Sequence, residues 1–109
     1  MPYKLFKRIS ICLALSASAI AYEEHEFTVN VVGASNNTNT VFIDVEETAA
    51  NSNCDNKRHF KIDDSNKNAD RFFSLALAAQ AQSKKMVLGY NEDDCLHGGI
   101  EPRVFKIKS

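Results

Sequence analysis

The sequence predicts a mainly β, α+β domain in which five short strands accompany one helix, in the order β-β-β-α-β-β. Three observations predict it. Apolar and polar residues alternate over residues 26–32, 41–46, 59–63, 86–90 and 103–108, the two-residue period of a half-buried strand. The period lengthens to that of a helix only within residues 64–85. Stretches rich in Gly, Asn, Ser and Asp separate these segments, as turns require.

The segment before the first strand belongs to another class. Lys4, Lys7 and Arg8 precede an uncharged run from Ile9 to Ala21, which ends in Ala19-Ile20-Ala21. A basic start, a short apolar stretch and an A-x-A end make a secretory signal. As a helix, residues 9–21 would reach about 20 Å, short of the roughly 30 Å of a hydrocarbon core, so a signal is expected and a membrane span is not. Cys12 lies early in the apolar stretch and follows bulky Ile11, which argues against a lipoprotein anchor. Cleavage near Ala21 would place residues 22–109 in the periplasm or outside the cell. The domain so released has 88 residues, with 10 Lys and Arg against 14 Asp and Glu, a net charge of −4. That length supports one domain.

Phe27, Val29 and Val31 should share the inner face of the first strand, with Thr28 and Asn30 outside. Residues 33–40 carry no apolar periodicity and read as a turn. Val41, Ile43 and Val45 alternate with Phe42, Asp44 and Glu46, giving a second strand paired to the first as a hairpin. In the third strand Phe60 and Ile62 point inward and His59 outward. Phe72, Leu75, Ala76 and Ala79 then fall on one helix face, widened by Phe73 and Leu77. Ser65, Asn66 and Asn68 suit its N-cap, Asp70 its first turn, and Lys84 and Lys85 its last. Met86, Leu88 and Tyr90 form the fourth strand, and Phe105 and Ile107 face inward from the fifth.

A helix between the third and fourth of five strands is the layout of an OB-fold, a small, partly open Greek-key barrel. A ferredoxin-like fold would need a helix between the first two strands, where residues 33–40 are too few and too polar. Export leaves two cysteines, Cys54 and Cys95. An even pair in a small exported domain reads as one disulfide, with two free thiols or a metal pair as alternatives. The 40 intervening residues contain no second Cys-x-x-Cys element for zinc.

Phe60-Lys61-Ile62-Asp63, the run Leu75-Ala76-Leu77-Ala78-Ala79-Gln80-Ala81, Lys84-Lys85-Met86-Val87-Leu88, Cys95 and Val104-Phe105-Lys106-Ile107 resemble small exported bacterial proteins related to the binding (B) subunit of subtilase cytotoxin. The resemblance covers about the last half of the chain. It implies an OB-fold, a pentameric ring, recognition of cell-surface glycans and delivery of a separate catalytic chain. Its motifs are structural, and no sugar-contact position carries over residue by residue.

Chemistry read from the residues is sparse. Glu23, Glu24, His25 and Glu26 form a His/carboxylate cluster, expected as a solvated, flexible start. Asp93, Asp94, Cys95 and His97 look like metal ligands, but an oxidised Cys95 cannot ligate, and the Gly and later Glu of a calcium loop are missing. His59 is expected at the surface, and Asp63 and Asp64 are explained by helix initiation. No nucleophile elbow or phosphate-cradling loop occurs, so neither an enzyme, a metal nor a cofactor is expected. Nucleic acid is an unexpected partner for an acidic, exported chain whose Arg103, Lys106 and Lys108 suit a strand edge. The loops at 33–40 and 91–99 remain, since in OB-folds such loops flank the binding face. Their Asn, Thr, Asp and His side chains can hydrogen-bond sugar hydroxyls, although polarity toward water accounts for each of them singly. His97 and Arg103 are the ligand-binding candidates. The expectation is a non-catalytic binding module, multivalent if it forms a ring. The alternative is a monomeric exported protein that binds or inhibits another exported protein.

Overall fold

The computed structural model describes residues 22–109; the expected signal segment, Cys12 included, lies outside the described residues. Eight strands and one helix follow one another as β1 (Glu23–Phe27), β2 (Val29–Ser35), β3 (Thr40–Val45), β4 (His59–Asp63), α1 (Ala69–Gln82), β5 (Met86–Tyr90), β6 (Cys95–Leu96), β7 (Gly99–Ile100) and β8 (Val104–Ile107). They form a three-stranded sheet, β1-β5-β8, and a five-stranded sheet, β2-β3-β4-β7-β6. All neighbours are antiparallel except β4 and β7, which run parallel with Phe60 opposite Ile100. The hydrogen-bonded ladders make two sheets and no closed barrel.

The five expected strands become eight for local reasons. Thr28 alone separates β1 from β2, and the Glu47 carboxylate holds it there, accepting its backbone N–H at 2.6 Å and its hydroxyl at 2.8 Å. Two residues on, the β2–β3 register shifts between Val29 and Val31. One extra residue in a strand reverses the facing of all that follow. Val29 is therefore buried while Val31 is 45% exposed, and Val32 takes its place against the core. The expected Phe27-Val29-Val31 face is corrected at its third member. Past the bulge β2 runs to Ser35, three residues into the expected turn. At the other end of the chain Pro102, which has no N–H to give a ladder, lies between β7 and β8.

Residues 23–26 are the other correction: the polar start is a strand. β1 pairs along its whole length with β5, from Glu23 opposite Tyr90 to Phe27 opposite Met86. Across the same sheet Glu24 and Glu26 meet Lys106 and Lys108 at 2.9 and 2.7 Å. Alternate carboxylates are thus matched by Lys106 of β8 and Lys108 just past its end, so a segment polar by composition is ordered by pairing.

Helix α1 buries Ala69, Phe72, Ala76 and Ala79. The alanines let its axis approach the sheets, and Phe72 meets Phe105 edge-on at 5.3 Å. Leu75 packs partly on the core, whereas Leu77 is 44% exposed, so the apolar stripe is narrower than expected. Asn68 holds the N-cap position without a side-chain cap; its own N–H is accepted by Asn66 Oδ1. Ser83 ends the helix in the left-handed region, φ 54°. Lys84 and Lys85 therefore follow the cap instead of filling the last turn.

The core lies between the two sheets and α1. Phe27, Phe60 and Tyr90 contact one another with centroids 5.0, 5.8 and 6.4 Å apart, and Ile43, Ile62, Met86, Leu88 and Ile100 complete it. Among the described residues no helix is long and apolar enough to cross a membrane.

Candidate functional site

Cys54 and Cys95 form a disulfide with Cα atoms 5.5 Å apart. That bond ties the loop after β3 to the start of β6, where the loop after β5 ends, and hydrogen bonds reinforce it. Asn53 donates its backbone N–H to the Glu92 carbonyl and its side-chain amide to Asp93 Oδ1, both at 2.8 Å. The Tyr90 hydroxyl reaches up from the core to the Ala50 carbonyl at 2.8 Å. Asn51 turns the first loop with φ 57°, a left-handed conformation that Asn tolerates better than most residues. Residues 47–57 are mostly polar, yet Ala49, Ser52 and Cys54 are buried and anchor the loop.

Between these loops and the start of β1 opens a cleft of about 510 Å³, lined by Glu23, Asn51, Asn91, Glu92 and Asp93. Hydrogen bonds from His25 and then Asn51 hold the Glu23 carboxyl below its ordinary range. Behind the cleft Asp94 is a hub. Its Oδ2 accepts the Asn91 N–H and its Oδ1 accepts Arg103 Nη2, each at 2.8 Å, and the bond from Arg103 is the largest cause of its lowered pKa. The lining supplies carboxylate acceptors and amide groups that both donate and accept, which suits a ligand rich in hydroxyls. It supplies no hydroxyl or thiol nucleophile. Among the described residues no group of three or more His, Cys, Asp or Glu side chains is placed to hold a metal ion.

The two candidate binding residues separate. Arg103 braces the 91–94 wall through Asp94, with its side chain 46% exposed. His97 stands at the tip of the β6–β7 hairpin with φ 47°, and its carbonyl accepts Lys61 Nζ at 3.5 Å; it does not line the cleft. Nor does the β2–β3 turn, whose Asn39 carbonyl is bound by the Asp64 N–H. The sequence points to Asn91, Glu92 and Asp93 through the loop at 91–99, but not to Glu23 or Asn51 as parts of the site. The signal for the loop residues was the cysteine pair: joining Cys54 to Cys95 brings 51–53 against 91–93.

A second group of side chains occupies the outer face of the five-stranded sheet. His59 lies on the outer face, as expected of a surface residue, but is largely covered: Nδ1–H donates to Asp44 Oδ1 at 2.6 Å, and 17% of the side chain is exposed. Its ring lies 4.8 Å from that of Phe42 at an interplanar angle of 31°. Lys61 beside it is 8% exposed and forms no ion pair within 4.0 Å among the described residues.

Compared with protein-family models, with curated proteins and with solved structures, the chain matches none.

Proposed function

We propose that this is an exported, non-catalytic OB-fold module that binds glycans in the disulfide-bounded cleft. The OB reading takes β1 and β2 as one strand bent at Thr28, and β7 and β8 as one strand interrupted at Pro102. The order around the molecule is then β1/β2, β3, β4, β7/β8, β5 and back to β1, with the helix after the third strand, as the OB layout requires. The disulfide favours an oxidising compartment, in agreement with a signal at residues 1–21. The observation that carries the function is the cleft itself, five polar side chains converging on a space of sugar size, with no hydroxyl or thiol nucleophile among them. The toxin B-subunit resemblance supports the same ligand class, and assembly into a pentameric ring would raise weak single-site affinity through multivalency.

The test is a glycan array probed with the purified protein and with Glu92→Ala and Asp93→Ala variants. Selective binding weakened by about tenfold or more in both variants is expected; array binding equal in all three proteins, or none, would overturn it. The alternative, a monomer that docks on another exported protein, draws on the exposed Leu77 and Val31. Mass in solution distinguishes the two, because a monomer at micromolar concentration removes the ring.

A further inference from the structure

We propose that the outer face of β2, β3 and β4 is a second carbohydrate site, one that takes a neutral pyranose ring stacked on Phe42. It lies outside the cleft and shares with the reading above only the ligand class.

Two glycines make the face flat. Gly33 is the cross-strand partner of Phe42, and a Cβ there would stand 2.9 Å from Phe42 Cζ. The ring therefore lies over the strand instead of rising from it. Gly99 does the same for His59, where a Cβ would meet Cδ2 at 2.8 Å. With the two rings 4.8 Å apart, aromatic surface runs from β2 across β3 and β4 to β7. Val31, which the bulge turns outward, borders it opposite Asp44. Flat apolar surface with polar groups at its rim matches a pyranose, whose C–H face is apolar and whose edge carries hydroxyls.

The rim has the polar groups. Asp44 engages His59 through Oδ1, leaving Oδ2 to accept from a hydroxyl; its side chain is 40% exposed. Lys61 is the independent indication. Its stem passes Gly99, the residue as a whole is more than nine-tenths buried, and among the described residues its ammonium makes one hydrogen bond, 3.5 Å long, to the His97 carbonyl. An ammonium with three donors and one long hydrogen bond has donors left for a ligand oxygen. Asp44 and Asp63 share this face of the sheet with Lys61 and His59, so no net positive charge is offered to an acidic sugar. That balance selects a neutral ligand.

The test is a titration of the purified, isotopically labelled protein with methyl β-D-galactopyranoside, methyl β-D-glucopyranoside and methyl α-D-mannopyranoside, followed by NMR. At least one should shift the Phe42 and His59 ring signals saturably, with a dissociation constant on the order of millimolar. Phe42→Ala should weaken it by about tenfold. Gly33→Ala, which touches no ligand but lifts the ring, should do the same. Phe42→Tyr should remain within about threefold, and Glu92→Ala, whatever it does to the cleft, should leave the affinity read at the Phe42 and His59 signals as it was. Shifts confined to Asn51 and residues 91–93, no shift at Phe42 up to about 100 mM sugar, or tighter binding of methyl glucuronide would each overturn the proposal. Should Phe42→Ala fail to fold, the wild-type shift map with Gly33→Ala and Phe42→Tyr decides.

Discussion

The cleft and the core beneath it are held together in opposite ways. The core is distributed: sixteen buried apolar or Cys side chains from both sheets, the helix and the loops share the packing, so no single contact defines it. The cleft depends on one covalent bond, a few hydrogen bonds from Asn53 and Tyr90, and the Asp94–Arg103 pair. A small domain can place precise polar geometry on irregular loops only if something adds to the little packing those loops have, and here Cys54–Cys95 does so.

Removing that bond tests the contrast most strongly. In the chain-entropy model a closed loop of this size, 41 residues in sequence separation, contributes about 4 kcal/mol, less any native strain. Cys54→Ala/Cys95→Ala should lower the urea midpoint accordingly. Hydrogen exchange should accelerate first in residues 46–58 and 91–98 and last in β1 and β5. Equal loss of protection everywhere would show that the loops and the core are one cooperative unit.

Glu47 offers a smaller disruption on the core side. It holds both polar groups of Thr28 at the break between β1 and β2, and Lys85 Nζ lies 3.3 Å from its second oxygen. Glu47→Ala should cost about 1–3 kcal/mol through the half-buried donors it leaves unpaired, and it should not weaken ligand binding at the cleft. A loss of glycan binding equal to that of Asp93→Ala would mean that the strand break positions the cleft. Tyr90→Phe comes next, at about 1 kcal/mol. It deletes the one hydrogen bond from a core side chain to the loop at Ala50, so it should loosen residues 49–53 while leaving the Phe27-Phe60 contact intact, as exchange rates and aromatic NOEs would report.

Legibility in the sequence follows the same division. The helix, β3, β4 and β5, and the cysteine pair were readable because their signals are local periodicity or simple parity of count. Val31 was misplaced because one inserted residue inverts a strand's facing without altering composition. The Glu-rich β1 was read as a flexible tail because its order comes from lysines more than eighty positions away, as in Glu26–Lys108. The sequence places His59 at the surface without its partners, because Asp44 and the glycines beneath the rings approach it only once strands pair. Of the candidate binders, Arg103 came to the cleft wall and His97 did not. A loop's polarity says that it faces water, and only the chain path says what else it faces.

Acid should separate the two regions with the smallest effect of all. Asp94, behind the cleft, and Glu47, at the strand break, both have lowered carboxyl pKa values. The Arg103 hydrogen bond is the largest cause for Asp94. For Glu47 burial acts upward as the largest single influence, but the hydrogen bonds from Thr28, its own N–H and Lys85 together outweigh it. A carboxyl whose folded pKa lies below its unfolded one stabilises the fold above the unfolded value, near pH 4, and loses that contribution as pH falls through the folded value. Stability should therefore be level from pH 7 to about pH 5 and decline below it. Asp94→Asn should flatten part of that decline, because its amide no longer titrates, and Glu47→Gln another part. If the regions are independent, the two flattenings add in the double variant. A double variant no flatter than either single one would join the cleft wall and the strand break into one titrating unit.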